Sequence, residues 1–289
     1  MGVEIENAKE AIRLIRKDTP QHISLVLGLY ALSCKEPELG KVARASYFFM
    51  RHMDDRLDGD MQAKGEPLPY ALEVRRQIQS DEFTGNPKVA LLAQYAIKTL
   101  ESRSRNGDNP KFDFLEAVDS IIFDYERSKE KKTLTQQELD LYYWKTFSPV
   151  INILLVGLKS NLRAKDIPAL AMNQGRLYTI RDLETDWDRG TINIPSEVLE
   201  HAGLTVNSTF AELMQNLRLQ KWFRESSLKS RAELLKLQQQ LRDSGEDLTF
   251  LICNRLIKWM LAFVDRYDVF PRDKKEFEPI FSRKARDVF

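Results

Sequence analysis

Sulfur is scarce in this 289-residue chain, which has two cysteines, Cys34 and Cys253, far apart and without metal-ligand spacing. That excludes a cysteine-built metal site and leaves both as buried thiols in a reducing compartment. Charge of either sign is not in excess: 44 Lys and Arg stand against 43 Asp and Glu, for a net charge of +1. A nucleic-acid binder normally carries a basic surplus, so no nucleic-acid partner is expected, and any anion site must come from local placement. Long apolar runs are missing too. The longest, Val150 to Leu158, is about half a membrane span and contains Asn152. The first residues, MGVEIENAKEAIRLIRK, mix acids with bases unlike a signal peptide. A cytoplasmic protein is expected. Strand-like alternation, internal repeats, low-complexity stretches and long linkers are all absent, which excludes a β fold and a solenoid.

What the chain has is helical periodicity, with apolar residues recurring every three to four positions almost throughout. Thr19-Pro20, Asn86-Pro87 and Asn109-Pro110 each set a capping residue before a proline suited to a first helical turn. Thr135 with Glu138, and Thr209 with Glu212, fit the capping box. Stops fall at Gly59, around Gly107, at Gly190 with Pro195, and at Gly203. These signals predict an all-α protein of about ten helices in one domain spanning residues 1–289. Pro149 interrupts a strongly helical stretch between about 136 and 161; it predicts either a helix boundary or a kinked helix bending around a cavity.

Two segments are chemically informative. In ASYFFMRHMDDRLDGD, residues 45–60, Tyr47, Arg51, Asp54 and Asp58 share one helical face. Phe48, Phe49, Met50, Met53 and Leu57 flank them. A surface helix has a broad polar face; a narrow polar stripe among bulky apolar residues predicts a buried helix lining a polar cavity. Two carboxylates one turn apart repel, and in apolar surroundings they require a cation. In GRLYTIRDLETDWDRGTINIP, residues 175–195, Tyr178, Asp182 and Asp186 again recur every fourth residue, beside Arg181 and Arg189. An isolated acid pair among 43 acidic residues commonly marks a solvated face. The apolar flanks and the second pair distinguish these. Facing carboxylates in a helical bundle make metal sites, and oxygen ligands without His or Cys favour magnesium or manganese over zinc.

At these segments the chain resembles the squalene/phytoene synthase family of head-to-head prenyltransferases. YFFMRHMDDRLD is similar to that family's first aspartate-rich motif, and IRDLETDWDRGTINIP to its second. Between them, FLEAVDSIIFDYERSKEKKTLTQQELDLYYWKTFSPVI is similar to the family's central region, and RYDVFPR to a stretch near its C-terminus. The resemblance implies an isoprenoid-synthase fold, a single helical bundle around a central cavity. It implies magnesium ligands at Asp54, Asp58, Asp182 and Asp186, with Tyr47, Arg51, Arg181 and Arg189 on the substrate diphosphate. Tyr142 falls where the family often has an aromatic residue near the carbocation. Such a cation needs water excluded and aromatic faces near it, which Tyr143, Trp144, Phe147 and Phe49 also offer.

The resemblance has gaps. The family usually has asparagine and glutamine where this chain has Tyr178 and Gly175. Its small-residue segment becomes Thr146-Phe147-Ser148-Pro149, and its N-terminal Ser-Phe signature becomes His22-Ile23. The implied activity is coupling of two C15 or C20 allylic diphosphates, with NADPH required only for a squalene-type product. Two alternatives stand beside it: a class I terpene synthase or cyclase acting on one prenyl diphosphate, and a non-catalytic assembly or binding relative. Greasy products are compatible with peripheral membrane contact.

Overall fold

The computed structural model describes residues 2–16, 20–61, 65–84 and 87–267. Among these, thirteen α-helices and no strands are formed. In order they are α1 (Gly2–Arg16), α2 (Pro20–Lys35), α3 (Pro37–Leu57), α4 (Pro67–Ser80), α5 (Ala90–Glu101), α6 (Pro110–Glu130), α7 (Gln136–Gly157), α8 (Pro168–Arg181), α9 (Leu183–Arg189), α10 (Ser196–Ala202), α11 (Phe210–Gln215), α12 (Leu217–Asp243) and α13 (Asp247–Tyr267). No helix among the described residues is long and apolar enough to cross a membrane. The all-α reading holds. The three additional helices are short ones, α9 to α11, and single residues, Asp182 and Asn216, separate α8 from α9 and α11 from α12.

Local signals act where they were read. Asn109 accepts the Phe112 amide at 3.0 Å as α6 begins at Pro110. Thr209 and Glu212 form a complete capping box on α11. Thr135 and Glu138 exchange bonds of 2.8 and 3.3 Å at the start of α7. Gly59, Gly107, Gly190 and Gly203 all take positive φ. The signal at Pro87 is displaced, since Pro87 to Val89 form turns and α5 starts at Ala90. Thr19 and Asn86 lie outside the described residues, as do most of RYDVFPR and the side chains of His22 and Ile23. Pro149 is buried inside α7, which runs on as one helix, so the boundary alternative is set aside.

The chain forms two compact units interleaved in sequence. The first contains the described residues up to Tyr125 and Pro149–Arg163. Its central helix is α3, which packs against α1, α2, α4 and α5. Phe48, Phe49 and Met53 are fully buried there, each contributing about 1.5–3 kcal/mol by leaving water. The second contains Glu126–Ser148 and the described residues from Ala164 to Tyr267. In it α12 packs against α8, α10, α11 and α13. Cys253 is buried there, and burial pushes its thiol up to about 12, so it stays protonated. Cys34 corrects the sequence reading: it is exposed on α2.

Candidate active site

The first aspartate segment is the last three turns of α3. Its apolar neighbours are core, as the narrow stripe predicts: Phe49 packs its ring 5.6 Å from that of Phe114 and has no exposed face. Arg51 donates to Asp54 at 2.6 Å and pairs with Asp55 at 2.6 Å. Burial would lower the Arg51 pKa, but Asp54, Asp55, Tyr47 and Asp58 together raise it, so the guanidinium remains charged amid the stripe. Two-fifths of the Asp54 side chain is open to water, yet protein surrounds it closely. Burial therefore raises its pKa first, Arg51 opposes, and the like charges of Asp55, Asp124 and Asp60 add to the rise. Asp58 caps the helix, its amide bonding the Asp54 carbonyl at 2.9 Å. Both carboxylates thus sit at the negative end of a helix dipole, which calls for a cation.

Behind this stripe lies a network that the spacing does not reveal. Asp55 is fully buried and accepts from both Arg51 and Arg13 of α1. Arg13 also donates to Glu10 at 2.7 Å, Glu10 meets His52 Nδ1 at 2.9 Å, and His52 Nε2 meets the Tyr70 hydroxyl at 2.8 Å. A charge buried as deeply as Asp55 requires such pairing. Asp55 is therefore a support for Arg51, although in sequence it reads as one more acid beside Asp54.

The second segment lies in α8 and α9. The sequence predicts one uninterrupted helix here; Asp182 breaks it with φ −99° and ψ 7°. Even so, Asp182 N donates to Tyr178 O at 2.8 Å and Asp186 N to Asp182 O at 2.9 Å, so the four-residue spacing survives. Arg181 grips Asp182 with two bonds of 2.9 and 2.6 Å, a fork that suits a carboxylate or phosphate equally. Burial would lower the Arg181 pKa, but Asp182 beside it raises it. The guanidinium lies 4.1 Å above the ring of Tyr178, whose ring in turn meets Phe147 edge-on at 5.6 Å. Tyr178, where the family has asparagine, thus carries Arg181 on an aromatic column. Arg189 is exposed at the end of α9.

Gly175, three residues before Tyr178, has a steric explanation. A Cβ there would lie 2.3 Å from the Tyr143 ring. Tyr143 fills that space and shares a 2.7 Å hydrogen bond with Thr179, so no glutamine side chain fits beside it. Of the aromatic residues read as candidates for cation contact, Phe49 and Tyr143 are core. Trp144 and Phe147 are partly exposed. Tyr142 is half-buried, its ring tilted against Tyr143 and covered at 4.6 Å by the guanidinium of Arg127.

Arg127 and Asn193 bond to the second segment, a link that the sequence reading does not name. Asn193 donates to Asp186 at 3.1 Å and accepts from Arg127, which also donates to the Ile192 carbonyl at 3.0 Å. Asn193 lies within the second segment and was in reach of a sequence argument. Arg127, inside the charged run DYERSKEKK, carries no such signal. Magnesium fits the donor set by its chemistry. Every candidate ligand is a carboxylate oxygen; among the described residues no group of three or more His, Cys, Asp or Glu is placed to hold a metal ion. Magnesium characteristically takes one or two carboxylates and completes its shell with water and phosphate.

No curated protein matches the chain. Residues 29–267, most of the chain and including both aspartate segments, match the squalene/phytoene synthase family. The chain therefore belongs to the squalene/phytoene synthase family.

Proposed function

We propose that the protein is a magnesium-dependent prenyltransferase that condenses two C15 or C20 allylic diphosphates, with residues 1–289 acting as one catalytic domain. Family membership supports the isoprenoid-diphosphate class of substrate. The observation that carries the reading is that each aspartate segment holds an arginine–aspartate pair, Arg51–Asp54 and Arg181–Asp182. A metal–diphosphate complex presents both charges that could split such a pair, its cation taking the carboxylate and its phosphate oxygens the guanidinium. Asp54, Asp58, Asp182 and Asp186 would hold magnesium, which neutralises the charge developing on departing diphosphate. Arg51, Arg181, Arg189 and Tyr47 bind and orient diphosphate oxygens before the bond breaks, so they need no reorganisation when charge develops. NADPH enters only if the product is squalene-like, and peripheral membrane contact would serve release of a greasy product.

A second reading, ionisation and cyclisation of one prenyl diphosphate, is favoured by the aromatic column. Tyr143 over Gly175 and Phe147 against Tyr178 fill space on the helix leading to Asp182, where the family carries amides. Product mass separates the readings. Farnesyl and geranylgeranyl diphosphate are incubated with the protein and magnesium, and the extracts are weighed. A C30 or C40 chain establishes coupling, a C15 or C20 terpene establishes cyclisation, and no prenyl product from either substrate rejects both.

A further inference from the structure

The end of α6 and the loop after α9 meet in an arrangement that neither aspartate segment requires for its own helix. Arg127 is 2% exposed, an unusual position for an arginine. One arm of its guanidinium donates to the Ile192 carbonyl and the other to the Asn193 side-chain oxygen. That bond fixes the Asn193 amide so that its nitrogen points to Asp186 Oδ2, 3.1 Å away. The same guanidinium lies 4.6 Å from the centre of the Tyr142 ring. One residue further along α6, the Ser128 carbonyl approaches Gly190 so closely that a Cβ there would lie 2.5 Å from it. Gly190 also has φ +86°, so only glycine lets the loop turn and touch α6 at this point. Two independent contacts, a side-chain fork and a backbone approach, therefore tie α6 to the segment that carries Asp186.

We propose that Arg127 and Asn193 are positioning residues that set the orientation of the Asp186 carboxylate for a divalent cation, with Arg127 setting the ring of Tyr142 at the same time. The inference rests on the reading above, in which Asp186 holds magnesium. A carboxylate oxygen that accepts an amide hydrogen bond has the rotation of its group restricted. Supporting partners of this kind typically change metal affinity 10–100-fold when removed. Arg127 contributes rigidity through its planar fork, which a lysine at the same position would not reproduce.

The test is calorimetric titration of inorganic diphosphate into the intact protein at several magnesium concentrations, giving the magnesium needed for half-maximal binding. Asn193→Ala removes the bond to Asp186 while leaving Arg127 its Ile192 carbonyl. Because Arg127→Lys alters a buried charge and risks unfolding, Asn193→Ala carries the decision. Asp186→Ala tests the underlying reading. Gln238→Ala, which removes the 2.6 Å bond to Asn254 between α12 and α13, controls for general loosening. The expected result is a magnesium requirement about tenfold higher in Asn193→Ala, unchanged in Gln238→Ala, and no saturable binding in Asp186→Ala. An unchanged requirement in Asn193→Ala, with binding lost in Asp186→Ala, overturns the inference and leaves the reading intact. Equal shifts in Asn193→Ala and Gln238→Ala reduce Asn193 to a structural role and overturn it also. Undiminished binding in Asp186→Ala, or none in the wild type, overturns the reading and the inference with it.

Discussion

Ionisable residues held away from water have two settlements in this protein, and Asp55 and Asp113 show them. Asp55 is buried between two arginines and anchors Arg51. Asp113, on α6, accepts from the Asn152 amide at 3.1 Å, and burial pushes its pKa up to about 7. The folded state therefore binds a proton that the unfolded chain has released, so stability falls as pH rises from about 4 to about 7. Asp113→Asn removes that dependence. Thermal unfolding should show the variant more stable than wild type at pH 8, by on the order of 1–3 kcal/mol, with the gap closing at pH 4. A variant less stable at pH 8 would show that the charged carboxylate is held by partners stronger than Asn152. Neither role was legible in sequence. Asp55 reads as a neighbour of Asp54, and its second partner, Arg13, is 42 residues away. In sequence Asn152 reads only as a polar residue within an apolar run about half a membrane span long.

Helices carry most of what the sequence did reveal, because their rules are local. The stripe on α3, the capping boxes and the glycine stops involve residues within about four positions of each other, and they form as spacing predicts. Packing between helices is different, as Gly175 illustrates. In sequence it is a missing glutamine; in the fold it is the place where α7 lays Tyr143 against α8. Gly175→Ala forces that ring to move or the helices to part, and should cost about 1–3 kcal/mol, read as a lowered denaturation midpoint. Tyr143→Leu removes the obstructing ring, so in its background the same Gly175→Ala change should cost much less. Equal costs in both backgrounds would show that the ring does not determine the residue at 175. The break between α8 and α9 was likewise hidden: the periodicity of Tyr178, Asp182 and Asp186 continues across it, and only the backbone angles of Asp182 reveal it.

For the molecule as a whole, the all-α class and family membership were legible because two long motifs stand in the expected order with their flanking residues. The supporting charges were not, since Arg13 and Arg127 meet partners tens of residues away and pair through the fold alone. The central claim is that both aspartate segments serve one magnesium-dependent reaction on a prenyl diphosphate. Its most direct test is release of diphosphate from farnesyl or geranylgeranyl diphosphate, with and without magnesium, by wild type, Asp54→Ala, Asp182→Ala and the double variant. The account predicts magnesium-dependent release in the wild type, a fall of at least about a hundredfold in either single variant, and little further loss in the double, as for groups acting as a unit. Release that persists without magnesium, or survives in both single variants, would contradict it.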